Sequence, residues 1–119
     1  MNKFIEIKPS DDIEKKNQWK ADCEKRNVPY VVVNLRGSTA EMEWDYISYP
    51  MGFEKIFEEV ESCLKNECKK IYEKYSNKGS TFSISASVVN FSGLSIQDAK
   101  VAAEEVFDLI EKLINSKGC

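Results

Sequence analysis

Hydrophobic and polar residues alternate most regularly over residues 81–90, and this period of two predicts a single strand. Phe82 and Ile84 fall on one face of that strand, and serines fall on the other. Asn90 is in phase with the apolar face, so an aromatic ring and an amide are expected at its two ends. Either Phe82 is a core residue and Asn90 bonds to a turn at the strand end, or the two side chains line a ligand pocket.

The rest of the pattern predicts three more strands and three helices. The strands are expected over residues 4–8, 29–36 and 40–46. Two helices are expected over residues 11–25 and 53–75. Ser95 and Asp98 form a capping box that begins the third helix near the end of the chain. This order, β-α-β-β-α-β-α, predicts an α+β fold in which two long helices and one shorter helix pack on a small, mainly antiparallel sheet.

Composition indicates a globular protein with a single domain, residues 1–119. The chain has 119 residues, of which 42% are hydrophobic, and this is enough for a core. Its net charge is −3 and it has no block of basic residues, so duplex nucleic acid is not an expected partner. The first residues lack the apolar segment of a signal peptide, and no apolar run has the length of a membrane span. These two features predict a cytoplasmic protein that does not bind membranes.

The sequence carries no motif of an enzyme or of a metal site. Its four cysteines include no C-x-x-C pair and it has no histidine, so no metal is expected and the cysteines are expected to be free thiols. It has no P-loop and no G-x-S-x-G sequence, and it lacks the commonest general base. A non-enzymatic protein without a cofactor is therefore expected.

The chain has only two arginines, Arg26 and Arg36. Arg36 precedes Gly37 in the sequence Asn-Leu-Arg-Gly-Ser-Thr, which combines a planar fork of donors, a flexible backbone and two hydroxyls. This segment is either an anion site or, more commonly for such residues, an ordinary hairpin loop. Arg26 follows the first helix and either interacts with the C-terminal end of its dipole or binds a ligand.

Three acidic residues, Glu41, Glu43 and Asp45, alternate along one strand. Carboxylates at this spacing can hold a divalent cation or perform acid–base chemistry, but a solvated acidic face is the commoner outcome. The same face can also bind a basic protein. A protein-binding inhibitor or immunity protein that acts through this acidic face is therefore the alternative function.

The stretch from Phe82 to Asn90, followed by Phe91-Ser92-Gly93 and a long final helix, resembles the phage-encoded Thoeris anti-defence proteins of the first type. The likeness covers most of the chain in length and in the order of elements. Those proteins are small cytosolic sponges that bind cyclic ADP-ribose signals made by bacterial TIR-domain proteins, and some also hold cyclic trinucleotides of another defence system. The resemblance implies that this chain sequesters a cyclic nucleotide signal and so blocks anti-phage defence in the cytoplasm of the host cell.

The resemblance also implies a set of ligand-binding residues. It assigns Phe82 to stacking on adenine and Asn90 to orienting the base or the ribose, with Phe91 beside them. Arg26 and Arg36 would hold the pyrophosphate. It further implies a homodimer or a higher homo-oligomer with pockets between protomers. Independently, the alanine-rich final helix can lie close to another helix, including a copy of itself, which also suggests a homodimer.

Overall fold

The computed structural model describes residues 2–45, 53–85 and 88–116, with the side chains of residues 53–56 excluded. In these residues the chain forms three helices and five strands, and the α+β fold with a small, mostly antiparallel sheet is confirmed. The helix over residues 53–75 has the predicted bounds. In chain order the elements are β1 (Ile5–Ile7), α1 (Ile13–Arg26), β2 (Val31–Arg36), β3 (Thr39–Asp45), α2 (Phe53–Tyr75), β4 (Thr81–Ser85), β5 (Val88–Ser95) and α3 (Ile96–Ser116).

The five strands form one sheet in the order β1-β2-β3-β5-β4. β1 and β2 run parallel, because α1 connects them as a crossover, and the other neighbours are antiparallel. α1 begins where the Asp12 side chain accepts a hydrogen bond from the backbone N–H of Glu14. It ends at Asn27, whose φ of 54° places it in the left-handed region.

α2 and α3 pack together on one face of the sheet, which we call the helix face. The fully buried side chains of Met42, Trp44 and Phe91 belong to this face. Tyr72 of α2 packs against Phe91 with ring centroids 5.6 Å apart, and α3 contacts β2, β3 and β5. The alanines of α3 are buried where this helix packs against α2 and the sheet, in keeping with the expectation that it lies close to another helix. They are Ala99, Ala102 and Ala103.

The regular stretch over residues 81–90 is two strands, so the prediction of one strand is wrong. β4 ends at Ser85, β5 begins at Val88, and the two strands pair antiparallel as a hairpin. The pattern gave no turn signal, because residues 86 and 87 are alanine and serine rather than glycine, proline or asparagine. The residues that face the helices have even numbers in β4 and odd numbers in β5. Because Val88 and Val89 are both apolar, the sequence does not show this change.

The cysteines only partly match the expectation of free thiols. Cys23 and Cys68 are free and buried, and burial raises the pKa of the Cys23 thiol to about 11 and that of Cys68 to about 12. Cys63, in contrast, is disulfide-bonded, and for this residue the prediction is wrong. Cys119 lies outside the described residues.

The other face of the sheet, which we call the polar face, carries hydroxyl, amide and carboxylate side chains. α1 lies on it beside β1 and β2, where the indole N–H of Trp19 donates to the Val31 carbonyl, and Lys16 of α1 reaches β3, 3.4 Å from the Glu43 carboxylate. The part of this face over β3, β5 and β4 lies beyond the main packing contacts of α1 in the described chain, and we call it the open part. The polar residues of this open part are Glu41, Glu43, Asp45, Asn90, Ser92, Thr81, Ser83 and Ser85.

Candidate functional site

The two residues that the resemblance assigns to base binding lie on opposite faces of the sheet. Phe82 is on the helix face, where its ring packs against Tyr72 and Phe91 with centroids 5.6 Å apart in each case. Asn90 is on the polar face, because it pairs with Ser83, the neighbour of Phe82 in β4. The expectation that Phe82 and Asn90 line one face is therefore wrong. Within a single chain they cannot contact the same base.

Phe91 and the two arginines lie apart from one another. Phe91 has no exposed surface. The Arg26 guanidinium lies 5.4 Å from the centroid of the Trp19 ring, and its Nη2 is 3.0 Å from an Asp22 carboxylate oxygen, so it is held against α1. The Arg36 side chain is 62% exposed at the end of β2. Since β3 lies between β2 and β5, two strand spacings of about 4.8 Å separate Arg36 from the strand of Phe91.

The polar face contains a hydrogen-bond network centred on Asn34 of β2. Asn34 is only 5% exposed, in a strand whose other buried residues are valines. Its Nδ2 donates to Oε1 of Glu41 and to Oε1 of Glu43, each at 3.2 Å. The two glutamates are two residues apart on β3 and point to the same face, directly and diagonally across from Asn34. One buried amide thus fixes two carboxylates.

A β-bulge in β5 adds a hydroxyl group to this network. The register of β3 against β5 shifts between Ala40 and Met42, so Glu41 lies opposite two residues, Ser92 and Gly93. Gly93 has a φ of 75°, which glycine adopts at no steric cost. The Ser92 hydroxyl donates to Oε2 of Glu41 at 3.1 Å. Both oxygens of Glu41 therefore accept a hydrogen bond within the protein.

Asn90 extends the same surface along β5. It lies between Glu43 of β3 and Ser83 of β4 in the sheet. Its Oδ1 is shielded from solvent and has no hydrogen-bond donor among the described residues. A buried carbonyl oxygen without a donor costs about 1–3 kcal/mol. A ligand that brings an N–H or O–H group to this oxygen would relieve that cost.

Two cations lie beside the acidic row, which is the set of Glu41, Glu43 and Asp45 on β3. Lys16 of α1 is 3.4 Å from Glu43, and Nη2 of Arg36 is 4.0 Å from Glu41. Burial raises the pKa of the Tyr30 hydroxyl, and the charge of Glu43 adds to the shift, so this tyrosine is uncharged at neutral pH. Among the described residues of the open part, Asp45 adds a third carboxylate to Glu41 and Glu43.

Two clefts of the structure lie away from the polar network and from the residues assigned to ligand binding. One of about 580 Å³ lies beside β1 and is lined by the N-terminal residues together with Lys15 of α1 and Glu104 of α3. Another of about 500 Å³ lies on the outer side of α2. None of the five residues assigned to ligand binding lines either cleft. Within the described ranges, no group of three or more cysteine, aspartate or glutamate residues could hold a metal ion.

Comparison of the chain with protein-family models, with curated proteins and with solved structures finds no match. In the described part of the chain, no helix combines the length and the apolar character needed to cross a membrane. Function is therefore inferred from the geometry of the chain's own residues.

Sequence reasoning found the acidic row but missed the groups that organise it. In the sequence, Asn34 is the first residue of the Asn-Leu-Arg-Gly-Ser-Thr segment around Arg36. The available signal was its position as an amide within the apolar run of β2, where a polar side chain needs a buried partner. No sequence pattern indicates that Ser92 belongs to this network, because its contact with Glu41 depends on the bulge at Gly93.

Proposed function

We propose that this protein is a non-enzymatic binding protein that recognises a basic partner through its polar face. The observation that carries the proposal is the Asn34 network, in which Glu41 and Glu43 are held by a buried amide. Carboxylates fixed in this way lose little conformational freedom when a partner binds. An inhibitor or immunity protein with this surface would bind a lysine- or arginine-rich segment of another protein.

The acceptors of the polar face support a cationic partner. Oxygens of Glu41 and Glu43 accept hydrogen bonds within the protein, and each can accept another. Oδ1 of Asn90 is an additional acceptor to which none of the described residues donates. A guanidinium or ammonium group brings several N–H donors and a positive charge. A phosphate brings acceptors and negative charge, so the carboxylates would repel it.

Replacing both Glu41 and Glu43 with glutamine is expected to weaken the binding of lysine- and arginine-rich peptides at least about tenfold. The reason is that each charge-assisted hydrogen bond contributes about 1.5–3 kcal/mol. Glutamine keeps an oxygen that can accept from Asn34, so the fold is retained. Fluorescence anisotropy with a set of labelled peptides measures the affinity, which for the wild type should fall steeply as salt is added.

A matched control removes the same charge elsewhere. Glu58 and Glu59 are exposed on α2, and the variant with glutamine at both positions should bind the peptides as the wild type does. Equal affinity of the Glu41→Gln, Glu43→Gln variant and the wild type would overturn the proposal. So would wild-type binding to every peptide of the set that is absent or insensitive to salt.

Sequestration of a cyclic nucleotide is the second candidate function, and exposed Arg36 supports it. Gly37 follows this arginine with a φ of 69°, and nothing lies within 4 Å of where a side chain at Gly37 would begin. Backbone amides at such a turn can approach an anion closely. Since Phe82 and Asn90 are on opposite faces, this function places the base and the phosphates between residues of two copies of the chain.

Titration calorimetry with cyclic ADP-ribose isomers and cyclic trinucleotides tests this candidate. A sponge is expected to bind at nanomolar concentration, about −12 kcal/mol, without degrading its ligand. Arg36→Ala should then weaken binding at least about tenfold, since it removes a charge-assisted phosphate contact. Lys70→Ala is the control, because Lys70 is 71% exposed on α2. No heat with any of these ligands would remove this candidate and leave the basic-partner proposal standing.

A further inference from the structure

The two edge strands of the sheet differ in how they are protected against pairing with another strand. β1 has three residues, one of which is Glu6, and it lies between Lys3 and Lys8 with Pro9 directly after them. Short length, charge and proline are the devices by which natural proteins block an exposed edge. The β1 edge therefore has all three of these protective features.

β4, the opposite edge, has none of these devices. Its five residues, Thr81–Ser85, contain no charge and no proline, and it pairs with β5 without a shift in register. Residues 79–97 contain no charged residue, in a chain of which 31% is charged. In the described chain, the main contacts of β4 are with β5 and α2. Its outer edge is thus a neutral, regular and unpaired template for another strand.

We propose that the β4 edge is a homodimer interface, where a second copy of the chain adds its own β4 antiparallel about a two-fold axis. Pairing centred on Ser83 places Phe82 opposite Ile84 on the helix face and Thr81 opposite Ser85 on the polar face. Phe82 and Ile84 are half-buried in one chain, and the second copy would cover them further. The two sheets would become one sheet of ten strands.

The neutrality of β4 selects a second copy over a charged peptide. A basic or acidic peptide would find no complementary charge along Thr81–Ser85, whereas two identical neutral strands meet without repulsion. An edge of five residues buries less than the roughly 1,200–2,000 Å² of a typical stable interface. The dimer is therefore reversible, with an expected Kd in the micromolar range. This inference is independent of the partner proposed for the polar face.

Sedimentation velocity over about 10–500 µM protein tests the interface, since wild-type mass should rise from 13.6 kDa towards twice that value. Ser83 is exposed, so Ser83→Lys and Ser83→Glu leave the fold of one chain unchanged, which circular dichroism can verify. In the dimer each variant places two like charges opposite each other. Each should raise the dimer Kd at least about tenfold, and mixing the two variants should restore association. Asn17→Lys, at an exposed position of α1, adds the same charge as Ser83→Lys and should leave the Kd unchanged.

Three results would overturn the inference. A wild-type protein that stays monomeric at the highest concentration has no such interface. Dimerisation of Ser83→Lys with wild-type Kd would place the interface elsewhere on the molecule. A mixture of Ser83→Lys and Ser83→Glu that associates no better than either variant alone would exclude the antiparallel pairing centred on Ser83.

Discussion

Replacing Asn34 with aspartate is expected to lower the free energy of unfolding by about 3–5 kcal/mol. The change removes the two N–H donors that Nδ2 gives to Glu41 and Glu43, and it places a third carboxylate between them. Because Asn34 is 5% exposed, the new carboxylate would be largely removed from water beside two others, which is costly. Urea unfolding followed by tryptophan fluorescence would measure the loss.

Control variants and pH distinguish this cause from a general effect of adding charge. Asn66→Asp makes the same change at an exposed position of α2 and should alter stability by no more than about 0.5 kcal/mol. Adding Glu41→Gln to Asn34→Asp should recover part of the loss, because it removes one carboxylate and supplies an N–H donor. The loss of stability should also be smaller at about pH 4 than at about pH 7, since a protonated carboxyl group at position 34 has an O–H donor. An equal loss at Asn66 would contradict the role of Asn34.

Replacing Gly93 with alanine is expected to lower the free energy of unfolding by about 3 kcal/mol or more. A Cβ atom at Gly93 would lie 2.6 Å from the carbonyl oxygen of Gly79. The contact would be between backbone segments, which cannot move apart as easily as a flexible side chain can. The φ of 75° at Gly93 adds about 1–2 kcal/mol of strain for any other L-residue. Thermal unfolding by circular dichroism would show a lower Tm.

Gly37→Ala is the matched control for this prediction. Gly37 has a similar φ of 69°, but nothing lies within 4 Å of the position of its Cβ. Its replacement should cost only the backbone strain of about 1–2 kcal/mol. If the two variants lost the same stability, the close approach of Gly93 to Gly79 would not matter for the fold.

The elements whose signals were local were predictable from the sequence. The apolar stripe of α2 and its breaks at residues 50–52 and 77–79 define a helix over residues 53–75. One hydrogen bond of the predicted capping box is present, since the Ser95 hydroxyl accepts from the backbone N–H of Asp98 at 3.1 Å. The hairpin of β4 and β5 was not predictable by the same means, because two strands that both alternate can be joined by residues that also fit a strand.

The candidate site was predictable only in part, because its organisation depends on partners in three strands. Alternation alone placed Glu41 and Glu43 on one face. The amide that fixes them lies in β2, and the hydroxyl that completes the network lies beyond a bulge in β5. A single strand over residues 81–90 would place Phe82 and Asn90 on the same face. In the hairpin, Phe82 pairs with Phe91 and Asn90 pairs with Ser83, so Phe82 and Asn90 lie on opposite faces.

From the strand order β1-β2-β3-β5-β4 we expect a particular sequence of events in folding. The hairpins β2–β3 and β4–β5 join neighbours along the chain and can form on a microsecond timescale. The ladder between β3 and β5 encloses all of α2 and β4, so it forms only when a long loop closes. The contact of Ser92 with Glu41 and the pairing of Phe91 with Met42 both lie on that ladder. The polar network and the core are therefore completed in the same non-local step.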